Sequence, residues 1–350
     1  MTEVTQAETP VVAPVVVKQR SAANALAPLP SVDILDESVI WTPEIERLVQ
    51  AVVEQIRLDQ PGMIVNGPQR NGKSRACNYV AAVLSESIGY PVTTFIWSMP
   101  EDVATSSRAF FQERMFQSGC NAVAHRDLVV IKNRFFNQIA ERASAEAARR
   151  VVIIIDEAQN LGRDDYGSLV FIFNELERRH VRPFILLVGQ PELSQISELW
   201  LSQDAQQMVG RFSTRTHDYL GIALEDLEQV LEGFDNDEDG PQASPAFRTA
   251  PAAYADGWRI VNLAPLMREA VQTVVTAQNV NEQVRLPMQY LRSCLLAMLY
   301  RIIQRRLRPE ALTLADAVDC VKATNFAKVL QYYVRKGKSA NGASSGARSS

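Results

Sequence analysis

The chain has 350 residues, 47% of them apolar and 22% charged, with a net charge of −4. Such a composition belongs to a soluble globular protein with room for one large domain or two modest ones, and its acidic balance excludes a protein that coats nucleic acid by charge alone. The four cysteines lie far apart and, with three scattered histidines, offer no metal-ligand spacing; the apolar run at 291–303 is interrupted by Arg292 and Arg301, so no stretch suits a membrane span.

Residues 1–36, rich in Val, Ala and Pro without a sustained period, read as a flexible arm. Its cations, Lys18 and Arg20, follow the apolar patch rather than precede it, which is not a secretory signal, and a cytoplasmic setting is expected. Trp41-Thr42-Pro43-Glu44 opens a helix, with Thr42 as N-cap and Pro43 at the first helical position. Ile45, Leu48, Val49, Val52, Val53 and Ile56 carry its apolar face as far as Pro61-Gly62.

A short strand at 63–66 then leads into Gly67-Pro68-Gln69-Arg70-Asn71-Gly72-Lys73-Ser74-Arg75 and a helix running to about Ser87. The pattern is G-x-x-x-x-G-K-S between a strand and a helix, the signature of a phosphate-binding loop. Gly67 and Gly72 let the backbone curl until successive N–H groups face one concavity. Lys73 supplies a point charge for the β- and γ-phosphates, Ser74 a hydroxyl for Mg²⁺, and the following helix directs its positive end at the anion.

Val92–Trp97 reads as the next strand, and 101–150 as helical with a break at Ser118-Gly119. This stretch holds a basic zone: residues 103–150 carry eight Lys/Arg against four Asp/Glu. Arg108, Arg126, Lys132 and Arg134 are its candidates for phosphate-backbone contacts, along with Arg114 and Arg142. A second basic zone, eleven against three, spans 285–338, while 1–60 and 221–257 are acidic. Two basic zones on an acidic chain fit a defined anionic partner.

Val151 to Ile155 is a run of β-branched residues ending in Asp156-Glu157, which reads as a strand buried on both faces. Two readings of the acidic pair are open at this point. Asp156 holds Mg²⁺ beside the loop and Glu157 activates water, or the pair caps a helix beginning near Gln159. After a helix at 166–179 comes the apolar strand 183–189, with Gln190 at its end. That side chain either contacts the γ-phosphate or its water, or bonds the backbone of a turn. Arg211 and Arg215 are either surface cations or fingers that reach a neighbouring subunit's nucleotide. A short strand is expected over His217–Ile222.

From Ala223 the pattern turns helical. Asp235-Asn236-Asp237-Glu238-Asp239-Gly240 starts like a calcium loop, but Ala246 stands where the closing Glu is required, so an exposed acidic loop is expected. Residues 241–258 read as an inserted loop, 260–278 and 287–306 as helices, and Thr313 as the cap of another. The domains expected are the arm at 1–36, an α/β core at 37–222, a helical lid at 223–335 and a disordered tail at 336–350.

The order of strand, phosphate loop, Asp-Glu strand, polar strand end, arginines and helices resembles an AAA+ ATPase. Three strings, Gly67 to Ser74, Ile155-Asp156-Glu157-Ala158-Gln159-Asn160-Leu161 and Val188-Gly189-Gln190-Pro191-Glu192-Leu193, resemble more closely the TnsC/TniB/MuB regulators of DNA transposition. The last two strings are shared with the secretion-associated ExeA-type ATPases, which act on protein without DNA.

The resemblance implies an AAA+ P-loop NTPase with a central parallel sheet flanked by helices, followed by a small helical lid. It implies ATP and Mg²⁺ as cofactors, with Glu157 as water activator, Gln190 as sensor 1, Arg211 as finger and Arg292 as a candidate sensor 2. It further implies a ring or helical filament on duplex target DNA, recruiting a transposase and a TniQ/TnsD-like targeting protein, with no membrane.

Overall fold

The computed structural model describes residues 34–35, 40–101, 106–120, 125–195, 212, 215–235, 240–280, 283–330 and 333. The chain divides into two units. The first holds 49–66 and 74–217, and the second holds 17–48, 67–73 and 218–350. The second unit therefore takes in the loop residues 67–73, which the sequence places inside the α/β core.

The sheet explains the apolar runs. β1 (Gly62–Asn66), β2 (Thr93–Ser98), β3 (Arg150–Asp156), β4 (Arg182–Gly189) and β5 (Thr216–Asp218) lie in the order β2-β3-β4-β1-β5. The pairs β2–β3, β3–β4 and β4–β1 are parallel. Every residue of 151–155 and 184–188 is 0% exposed, so side chains on both faces are covered and the strands need no polar alternation. Each fully buried Ile, Val or Leu contributes about 1.5–3 kcal/mol.

Around the sheet run α1 (Pro43–Arg57), α2 (Lys73–Ile88), α3 (Ser107–Gln117), α4 (Leu128–Ser144) and α5 (Arg163–Arg178). Thr42 Oγ1 accepts from the Ile45 amide at 3.2 Å, as its N-cap position requires. α3 stops where expected. The Ser118 amide returns to the Arg114 carbonyl, and Gly119, at φ 79°, takes the left-handed turn that ends the helix. Ser118 also accepts from the buried Trp97 indole at 2.9 Å, tying that break to β2. Phe111, Phe135 and Phe136 then pack edge-on between α3, α4 and the sheet, with Trp97 tilted against Phe135.

The second unit is built on α6 (Leu227–Glu232), α7 (Pro245–Thr249), α8 (Pro251–Ala255), α9 (Ala264–Ala277), α10 (Met288–Arg305) and α11 (Leu314–Ala323). Its core includes Met267, Val271, Leu291, Leu295 and Phe326. Thr313 caps α11 in a capping box: its hydroxyl accepts from the Asp316 amide at 3.2 Å, and the Asp316 carboxylate accepts from the Thr313 backbone amide at 3.3 Å. Among the described residues, no helix is long and apolar enough to cross a membrane.

Four expectations change. The stretch 241–258 is helical rather than a loop, because its prolines stand in the first turns of short helical segments, where the missing N–H is not needed. The strand expected over His217–Ile222 is two strands. β5 joins the central sheet and β6 (Ile222–Ala223) pairs antiparallel with β7 (Arg285–Leu286), where Gly221 passes too close to the Leu286 carbonyl for a side chain. Ile34 and Leu35, assigned to the flexible arm, are 5% and 4% exposed and belong to the second unit's core. Asp235 of the acidic stretch accepts the Ile260 and Val261 amides at 2.7 and 2.9 Å, so its carboxylate caps a 3-10 turn; 236–239 lie outside the described residues.

Candidate nucleotide-binding site

Parallel register brings three carboxyl ends of the first unit level. Asn66 of β1 lies opposite Gly189 of β4, and Asp156 of β3 lies opposite Ser98 and one step beyond the Ile155–Leu187 pair. Since β4 runs between β1 and β3, its end separates theirs. Ligands of open α/β sheets bind at such an edge, outside the carboxyl ends of the strands.

Asp156 is 9% exposed, and its Oδ1 accepts the Glu157 amide at 3.0 Å. Glu157 turns the chain in the left-handed region, φ 56° and ψ 38°, a conformation that costs a residue with a Cβ about 1–2 kcal/mol. Gln159 Nε2 donates to Glu157 Oε2 at 2.6 Å, while Gln159 Oε1 accepts the Gln190 amide at 3.0 Å. One carboxamide thus links the acidic pair to the end of β4. Gly189 makes room for it, since a Cβ there would lie 2.7 Å from Gln159 Oε1 and 3.0 Å from Leu193 Cδ2.

The capping reading of the acidic pair does not hold. The turn at Ala158–Asn160 is a 3-10 turn without a side-chain cap, and at the start of α5 it is Asp165 that takes the Gly162 amide, at 2.9 Å. Gln159 was legible only as part of a string; its place between Glu157 and Gln190 depends on the strand register.

The loop is held within the second unit. A Cβ on Gly67 would run into the Tyr219 carbonyl oxygen, so the glycine is required for close approach. Asn71, 5% exposed, donates its Nδ2 to the same carbonyl at 3.2 Å. Arg70 and Gly72 both have positive φ, 66° and 94°, and this alternation points successive N–H groups inward. Lys73, 8% exposed, donates Nζ to the Gly67 and Pro68 carbonyls at 2.7 and 2.9 Å, so its charge lies over the loop's own backbone. Pro68 is half-buried and Gln69 exposed; Ser74 and Arg75 are exposed on the first turn of α2.

The arginines fall differently. Arg215 pairs with Glu54 of α1, with both side chains largely exposed, an ion pair worth about 0–1 kcal/mol. Arg211 lies outside the described residues. Arg292 donates to the Leu35 carbonyl at 3.4 Å and stands 5.7 Å from the Phe234 ring centroid.

The basic zone between β2 and β3 is less uniform than its charge count suggests. Arg108, Arg126 and Arg134 are exposed. Arg114 is 1% exposed and donates to the Ser98 carbonyl at 3.2 Å, and desolvation by burial lowers its pKa from the ordinary guanidinium value. Arg142 stands 5.4 Å from the Phe95 ring, and Lys132 is 5.0 and 4.5 Å from Phe111 and Phe171. Lys132 also lines a cavity of about 500 Å³ with Ser106, Arg163, Asp164 and Phe171. On α4, Lys132 falls within the arc of the buried stripe and Arg134 outside it, about 160° apart at 100° per residue.

The strand order and a phosphate loop between β1 and α2 define the AAA+ P-loop fold, and residues 56–196 match the AAA domain family model. Two solved structures of the Aeropyrum pernix ORC2 protein share this fold. In its ADPNP-ADP complexes that protein superposes with a TM-score of 0.56 at 13% identity, covering 84% of this chain and 71% of the other. Its ADP form gives 0.55 at 13% identity, covering 83% and 72%. At that identity the likeness is one of fold. No curated protein sequence matches the chain.

Proposed function

We propose that the chain is an AAA+ ATPase that assembles on duplex target DNA with ATP bound, recruits and activates a transposase, and leaves the DNA when ATP is hydrolysed. The observation that carries the ATPase reading is the Glu157 carboxylate held by Gln159 beside buried Asp156, at the sheet edge where this fold takes its ligand. The ORC2 relative described above was solved with ADPNP and ADP, which supports an adenine nucleotide as that ligand.

The roles follow from chemistry. The amides of 69–73 and the Lys73 ammonium hold the phosphates. Hard oxygen donors suit Mg²⁺, and the exposed Ser74 hydroxyl with the Asp156 carboxylate is such a set. When bound, the ion neutralises charge developing on the phosphate oxygens. Glu157 takes the proton of the attacking water, and the Gln190 side chain orients the γ-phosphate side. Arg211, with Arg215 as second candidate, reaches the nucleotide of an adjoining subunit, so ATP is read at a joint of the oligomer. Arg215 can exchange its exposed Glu54 partner at little cost.

The DNA reading is supported by Arg108, Arg126 and Arg134, exposed in the basic zone, and by the three transposition-regulator strings. Lys132, packed on two aromatic rings, has a smaller part in it. A TniQ/TnsD-like targeting protein completes the partners.

The test is retention on random-sequence duplex with and without ATP across a salt series. ATP-dependent binding whose affinity falls steeply with salt, and its loss in Lys73→Ala, is the expected outcome. ATP binding with indifference to duplex would favour a protein remodeller instead.

A further inference from the structure

Arg70, at the centre of the loop, has a backbone that residues with a Cβ avoid, and such a conformation persists only where its surroundings hold it. The holding groups come from the second unit's helices. The Gln289 amide, at the start of α10, donates to the Arg70 carbonyl at 3.2 Å. Arg70 Nη1 donates to the Tyr290 phenol oxygen at 2.7 Å, with its guanidinium carbon 5.6 Å from that ring's centroid.

The neighbouring loop residues are gripped as well. The Tyr333 hydroxyl donates to the Gln69 carbonyl at 3.3 Å, and Met288 Cβ lies 3.7 Å from where a Cβ on Gly72 would stand. Tyr290 itself is 4% exposed and wedged against Phe326 and Tyr333, with centroids 5.4 and 6.2 Å away. A buried phenol with little freedom thus anchors an exposed arginine of the loop.

We infer that Tyr290 is a positioning residue for the phosphate loop, acting through Arg70 to fix the direction of the loop's amides. The consequence for nucleotide affinity rests on the function proposed above; the positioning itself does not. Arg70 is committed to the phenol, and the loop's charge toward phosphate falls to Lys73. Affinity is then set in part from α10, while the carboxylates that act on water belong to the sheet.

Tyr290→Phe keeps the ring and removes only the hydroxyl. Two measurements on the full chain separate the claims: hydrogen exchange of the amides at 69–72 without nucleotide, and ATP binding with steady-state turnover. We expect exchange to quicken about tenfold and the ATP Kd and KM to rise about tenfold with kcat unchanged, the size of one hydrogen bond to a charged group. Arg70→Ala should do the same, and combining the two substitutions should add nothing, because one contact is lost either way. Unchanged exchange in Tyr290→Phe, or effects that add, would overturn the positioning role. Quickened exchange in a protein that binds no ATP would leave the positioning standing and sink the nucleotide reading.

Discussion

The acidic pair and the loop are held by different means. The acidic pair inherits its geometry from β3, whose neighbours on both sides are hydrogen-bonded strands and whose side chains from 151 to 155 are fully buried. The loop depends on a few bonds to residues near Tyr219, α10 and Tyr333. A sheet strand moves only with its sheet, whereas a loop held by a few contacts changes with each of them. Damage at the strand ends should therefore appear in turnover, and damage in the helical unit should appear in affinity.

The sharpest way to break that division is Glu157→Gln. Removing a general base costs about 10²–10⁴-fold, so ATPase turnover should fall by that range while ATP affinity stays within about twofold. A comparable loss of affinity would join the two parts again.

Gln159→Ala comes next, with a fall of about ten- to a hundredfold in turnover, the effect of leaving a reacting group slightly misplaced. Single-turnover kinetics at saturating ATP would check it; a change confined to KM would move Gln159 to the binding side.

The smallest effect belongs to the helical unit. The Thr313 hydroxyl, helped by its backbone amide and Arg305, holds the Asp316 carboxyl below its ordinary pKa of 3.8. Because the unfolded chain takes up that proton first, the contribution is whole above about pH 4 and is lost as pH falls through the lowered value. Denaturant unfolding between pH 5 and 2 should show a shallower acid loss in Asp316→Asn than in the parent. Parallel curves would rule out the capping box as the source.

Several elements could be read from the chain because their signals are local. A glycine-bounded loop before a helix, a β-branched run ending in acids and a Thr-Pro helix start each carry their own physical reason. The stretches that misled were those where one residue serves opposite ends. Proline ends helices and also starts them, and three prolines in 241–258 made short helices look like a loop.

The charge count of 103–150 misled differently. It could not separate exposed Arg108 from Arg114, whose guanidinium the fold buries. Neither the Arg70–Tyr290 bond, spanning 220 positions, nor the bridge from Gln159 to Gln190 has a local signature.

That bridge makes the edge of the sheet a lever. With no side chain at Gly189, the Gln159 carboxamide sits against the main chain of β4 at one end and grips the Glu157 carboxylate at the other. Any push that slides the tip of β4 is therefore delivered, through one rigid planar group, to the Glu157 carboxylate.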